Sequence, residues 1–195
     1  MGNVLVAFTT NAGSTQKVAE TISKELSDMG QTVEVRRLEE VASLEGYSAV
    51  VIGAPMILGW HRSAVRFLKL HRQALSQMPA AYFMTAMALT AGSAPNNRNL
   101  PINLDPELAK PPRGMRLSLK ERYTSVDNYL APVIKAAPEV NPLSIGFFGG
   151  KLEIRRLKFW QMVFVLLVVQ AQPGDFRNWP FIRSWANDLG KKLFS

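Results

Sequence analysis

Cysteine is absent from the chain, and histidine occurs only twice, at His61 and His71. The first absence excludes disulfides, thiolate metal sites and cysteine nucleophiles. The second leaves little for a transition-metal centre, so no metal is expected. Acidic residues are scarce as well: 15 Asp and Glu against 23 Lys and Arg leave a formal net charge of +8, which favours anionic partners. No stripe of basic residues interleaved with aromatics is visible, so nucleic acid is not an expected partner. No apolar run reaches the roughly 20 residues that a spanning helix needs. Met1-Gly2-Asn3 shows neither a basic leader nor a cleavage site, which makes the cytoplasm the expected compartment. A chain of 195 residues without internal repeats is expected to form one domain over residues 1–195.

What is present is a regular alternation of strand and helix patterns. Val4 to Phe8, Ala49 to Gly53, Ala81 to Met87 and Leu143 to Phe148 are near-continuous apolar runs, as in strands covered on both faces. Thr32 to Arg36 alternates strictly and belongs near a sheet edge. Helical spacing places Val18, Ala19, Ile22, Leu26 and Met29 on one face, with Gly30 as a stop, and Ala64, Phe67, Leu68, His71 and Leu75 on another. A helix over 125–135 meets Pro132, and a last helix opens at Asn178 with Pro180 in its first turn. Five strands joined this way predict an α/β three-layer sandwich. Its parallel sheet takes the order 2-1-3-4-5, with a ligand at the carboxyl ends of strands one and three.

The first strand breaks into Thr9-Thr10-Asn11-Ala12-Gly13-Ser14-Thr15 and then into a helix. A small, hydroxyl-rich loop feeding a helix N-terminus suits a phosphate, because backbone N–H groups and hydroxyls converge there. The loop lacks the Gly-Lys-Ser/Thr of a triphosphate site and the Gly-x-Gly-x-x-Gly of a dinucleotide site. A mononucleotide held by one phosphate, such as FMN, is the expected cofactor.

Two stretches exceed ordinary connections. Residues from about 90 to 122 are rich in Pro, Asn, Gly and basic side chains with little periodicity, which predicts a long irregular loop that is functional or mobile. The second, about 150–174, lies between the fifth strand and the last helix. It carries Arg155, Arg156 and Lys158 ahead of an apolar run from Phe159 to Val169. Two readings stand: an interfacial helix at a membrane surface, or a buried segment covering one sheet edge.

These features together resemble the flavodoxin-like FMN proteins, and within them the menaquinone-dependent protoporphyrinogen IX dehydrogenase group. The resemblance is carried by the loop from Phe8 to Thr15, by Val51-Ile52-Gly53-Ala54-Pro55 with Met56 to His61 after it, by the basic-then-apolar insert, and by Gly174 to Trp179 with Ile182 to Ala186. Asn11-Ala12 departs from the polar or charged pair common in that loop, and the stretch after strand four is extended.

The resemblance implies an FMN-dependent oxidoreductase that oxidises a porphyrinogen and passes electrons to a quinone. An electron carrier of the flavodoxin type, or a quinone reductase with another substrate, is the alternative, and the positive charge argues against the carrier. Implied cofactor contacts are Thr9 to Thr15 for the phosphate. For the ring they are Pro55, Met56, Ile57, Leu58, Gly59 and Trp60 on one side and Ala86, Met87, Ala88 and Leu89 on the other, with Trp60 stacking or, as the alternative, filling a core gap between loop and helix. No catalytic acid or base is demanded, since the flavin carries the chemistry. His61 is placed either at the flavin edge, steering a substrate carboxylate, or as an exposed first residue of its helix. Arg155, Arg156 and Lys158 are candidates for porphyrin propionates or lipid phosphates, with peripheral contact at the inner face of the cell membrane.

Overall fold

The computed structural model describes residues 3–56, 59–92, 99–114, 116–152 and 173–194. Six parallel strands form its main sheet, in the order β2-β1-β3-β4-β8-β6. They are β1 (Asn3–Phe8), β2 (Thr32–Arg37), β3 (Ala49–Pro55), β4 (Ala80–Ala86), β6 (Ile102–Leu104) and β8 (Ser144–Gly149). The expected five-strand order is present with β8 as the fifth strand. β2 lies at one edge, as expected, with Val33 and Val35 half-buried against the core and Thr32, Arg36 and Arg37 exposed. β3, β4 and β8 are buried throughout, because helices cover both faces of the sheet.

Helices α1 (Ser14–Asp28) and α5 (Trp179–Leu193) cover one face, and α2 (Arg62–Ser76) and α4 (Val126–Ala136) the other. The core is accordingly divided in two by the sheet. On the α1/α5 side Val4, Val6, Val51 and Phe83 meet Ile22, Leu26, Trp185 and Leu189. On the α2/α4 side Leu5, Ile52, Tyr82 and Phe147 meet Phe67, Leu68, Leu130 and Val133. Alternate residues of one strand thus serve opposite cores, as the two-residue repeat of a strand requires. Gly53 in β3 leaves room for Phe83 of β4, whose ring tip would lie 1.8 Å from any added Cβ.

The stretch about 90–122, expected as irregular loop, carries structure of its own. β5 (Leu89–Thr90) pairs in parallel with β7 (Ala109–Lys110), β6 extends the main sheet beyond β8, and α3 (Leu119–Tyr123) precedes α4. Strands of two or three residues are too short to show a period, which is why the pattern concealed them. Of the insert, only its rims are described: β9 (Lys151–Leu152) pairs antiparallel with β10 (Gly174–Asp175). Arg155, Arg156, Lys158 and the apolar run lie outside the described residues, as do Ile57 and Leu58. Among the described residues no helix is long and apolar enough to cross a membrane.

Candidate functional site

The segments expected to hold a cofactor leave the same edge of the sheet. Because β1, β3 and β4 are adjacent and parallel, residues 9–15, those after Pro55 and those from 86 to 89 emerge side by side at the carboxyl ends. Open α/β sheets bind ligands there. Main-chain bonds tie these exits together: the Thr9 N–H donates to the Gly53 carbonyl (3.0 Å), Met56 to Thr85 (2.8 Å) and Gly150 to Ala86 (2.8 Å).

After β1 the chain turns through Gly13, whose φ of 84° lies in the left-handed region that favours glycine. α1 then begins without a side-chain cap and without an acidic residue in its first turn. The other α-helices among the described residues differ. α2, α3, α4 and α5 are capped by the side chains of His61, Ser118, Ser125 and Asn178. The first N–H groups of α1 therefore stay open to an anion, which the helix dipole also favours.

The loop hydroxyls are distributed differently from the sequence expectation. Thr9 Oγ1 donates to Glu39 (3.0 Å), Thr10 Oγ1 accepts from the Gly13 N–H (2.9 Å), and the fully buried Thr15 pairs with Thr85 of β4 (2.9 Å). Thr10 shapes the loop, and Thr9 and Thr15 anchor it. Ser14 and the exposed Asn11 are the polar side chains left facing outward. Backbone N–H groups plus one hydroxyl fit a single phosphate and fall short of a triphosphate. At Glu39 partial desolvation pushes the carboxyl up, yet hydrogen bonds from Ser63, its own backbone and Thr9 hold it below the ordinary range.

After β3, Met56 and Trp60 form an antiparallel bridge, and Gly59 has φ 91°. Trp60 is 4% exposed, its ring centroid is 5.8 Å from that of Tyr82, and its buried Nε1 has no partner among the described residues. The face expected to stack on a flavin ring is covered by protein here, because the indole gains more by filling the gap between β4 and the start of α2. Met56 is buried in the same way.

His61 also takes a different role. It is the N-cap of α2, and its Nδ1 accepts from the Ser63 N–H at 3.3 Å. Burial lowers its pKa more than the nearby Glu39 raises it, which favours the neutral ring.

At the β4 exit Ala86 is buried, while Met87 and Ala88 are partly exposed. Beyond it lies a cavity of about 540 Å³ that sequence reasoning missed. Its walls come from residues 87–90, 107–113, 118–124 and 175–177. Only the unusual length of the stretch after strand four pointed to it.

A family model for the flavodoxin domain matches residues 5–177. The chain is 36% identical over 197 residues to protoporphyrinogen IX dehydrogenase [quinone] of Escherichia coli (strain K12), covering 95% of this chain and 93% of that protein. Among solved structures, two-electron reduced Megasphaera elsdenii flavodoxin superposes with a TM-score of 0.51 at 10% identity, covering 96% of this chain and 98% of that one. A short-chain flavodoxin associated with a bacterial microcompartment gives 0.50 at 10% identity, covering 99% of each chain. Sheet order, open helix terminus and family match agree: the chain belongs to the flavodoxin domain family and is an FMN-dependent oxidoreductase.

Proposed function

We propose that the chain oxidises protoporphyrinogen IX and delivers the electrons to a quinone. The observation that carries this reading is the 36% identity, sustained over 95% of the chain, to an enzyme named for that reaction. The charge of +8 supports it, since the substrate is a carboxylate and an electron carrier for basic partners would be acidic.

FMN, when bound, supplies the redox chemistry, and the protein binds, orients and shields it. Its phosphate is assigned to the first turn of α1, with Gly13 permitting close backbone approach and Ser14 adding a hydroxyl. Thr9, Thr10, Asn11, Ala12 and Thr15 complete the loop, three of them as its frame. The ring is assigned to the mouth between Pro55 to Trp60 and Ala86 to Leu89. In that arrangement Trp60 supports the loop from below.

Contact with an acidic membrane surface belongs to the same reading, because quinones reside in membranes and a net positive protein is drawn to anionic headgroups. Flotation with anionic vesicles that weakens as salt rises is the expected behaviour.

The central test is anaerobic. Protoporphyrinogen IX is expected to bleach the visible flavin absorbance of the purified holoprotein, and a menaquinone analogue to restore it over many turnovers. A flavin that stays oxidised under protoporphyrinogen IX, yet is reduced by other donors, would overturn the substrate assignment and favour a quinone reductase of different specificity.

A further inference from the structure

The cavity beyond the β4 exit is built for a ligand of particular character. At about 540 Å³ it falls within the roughly 300–1,000 Å³ of small-molecule sites. Part of its wall is apolar: Met87 and Leu89 from the β4 exit, Leu108 from after β6, and Phe176, a large aromatic left 47% exposed. An aromatic face kept in the open at a cavity wall is a surface for a flat partner.

The polar part of the wall is electrically lopsided. Lys110, Arg113 and Lys120 line it, and none of the three forms an ion pair with a described residue. Two of the three carboxylates there are already committed. Asp175 is held by the Arg177 guanidinium, with Arg177 Nε 2.7 Å from Oδ1. Glu121 accepts from Ser118 and from the Arg113 N–H (2.8 Å), and these bonds hold its carboxyl at about 2. Glu107 and the ionised Glu121 stand against these three cations, so with Asp175 paired to Arg177 the wall keeps an excess of positive charge.

The frame behind these groups is firmly tied. Thr90 and Thr124 are joined twice, by N–H to carbonyl at 2.9 Å and by their hydroxyls at 3.0 Å, and the Tyr129 hydroxyl donates to the Ala88 carbonyl at 3.2 Å.

We propose that this cavity is the substrate pocket, and that it takes a flat, largely apolar molecule bearing carboxylates. The apolar body lies on Phe176 and the Met87–Leu89 edge, and the carboxylates reach Lys110, Arg113 and Lys120. Met87, Ala88 and Leu89 belong both to this wall and to the exit assigned to the flavin ring, so an occupant sits beside the ring without entering the phosphate loop. The inference rests on the reading of the chain as a porphyrinogen oxidase and deepens it by giving the substrate a place.

The test uses FMN-loaded protein and two probes, protoporphyrin IX and its dimethyl ester, with binding read by quenching of tryptophan emission. Replacing Lys110 and Arg113 together (K110E with R113E) is expected to weaken the diacid at least tenfold. The ester's affinity and the flavin content should not change, because both residues are exposed. Phe176→Ala should weaken both probes. Equal diacid affinity in parent and charge-reversed variant overturns the pocket, and so does a parallel loss of diacid and ester, which would report structural damage. Turnover of protoporphyrinogen IX separates the two levels. A parent that binds the diacid in this way without oxidising the porphyrinogen refutes the functional reading and leaves the pocket. A variant that oxidises it with an unchanged KM refutes the pocket and leaves the reading.

Discussion

Single residues at the edge of the sheet do two kinds of work, and Trp60 shows how they compete. Its indole lies in the core against Tyr82, so Trp60→Ala is expected to destabilise the fold by about 3–5 kcal/mol, as buried aromatic truncations do. A fall in the urea midpoint measures this, whereas an unchanged midpoint would show that the ring belongs to a ligand surface. The two histidines carry a pH signature. Burial is the leading cause at both, lowering the pKa of His61 and of His71. The unfolded chain, with imidazoles near about 6.5, then binds more protons than the folded one as the pH falls, so stability rises with pH in that window. The contribution is fully present above the unfolded value and is lost as the pH falls through the folded values. Urea midpoints taken from about pH 7 down to pH 5 should decline in the parent and decline less steeply with both histidines replaced by glutamine.

Among the elements, the stretch between β4 and α4 is where periodicity said least and packing says most. β6 reaches the sheet edge because its neighbour β8 offers a free row of main-chain groups, and Asp105 then locks it. That carboxylate is fully buried and accepts from the Glu107 N–H (3.0 Å), from Asn178 Nδ2 (3.0 Å) and from the Gly149 N–H (3.4 Å). One side chain so joins the exits of β6 and β8 to the cap of α5. Asp105→Ala would strand buried donors at about 1–3 kcal/mol each, and a loss of order 3 kcal/mol is expected. Asp105→Asn keeps an acceptor and should cost less. Equal stability of the alanine variant and the parent in denaturant would remove Asp105 from this role. The cavity wall rests on β6 and the turn after it, so the alanine variant should also bind porphyrin more weakly.

For the molecule as a whole, the uncapped start of α1 makes folding and cofactor binding one equilibrium. A ligand present at a hundredfold its Kd stabilises the folded state by about 2.7 kcal/mol. In a domain of this size that raises Tm by roughly 5–11 °C. FMN is expected to produce such a shift in the apoprotein. Riboflavin at the same concentration, which lacks the phosphate that α1 would receive, should produce much less. Equal shifts from the two would place the binding energy in the ring mouth instead of the phosphate loop.

The sequence by itself determined the layers of this protein. Continuous apolar runs at β1, β3, β4 and β8 can be buried only in a parallel sheet covered on both sides, and the helical stripes of α1, α2 and α5 supply the covers. It also brought the loops after β1, β3 and β4 to one edge, because parallel strands share a direction. Tertiary structure alone decided what the side chains at that edge do. The partner of Thr15 is Thr85, 70 residues away, Trp60 meets Tyr82 of β4, and Asp105 meets Asn178 at a distance of 73 residues. Local pattern reports which face of an element is apolar. Which polar group is consumed inside the protein, and which is left for a ligand, depends on neighbours that only the completed fold brings within hydrogen-bonding distance.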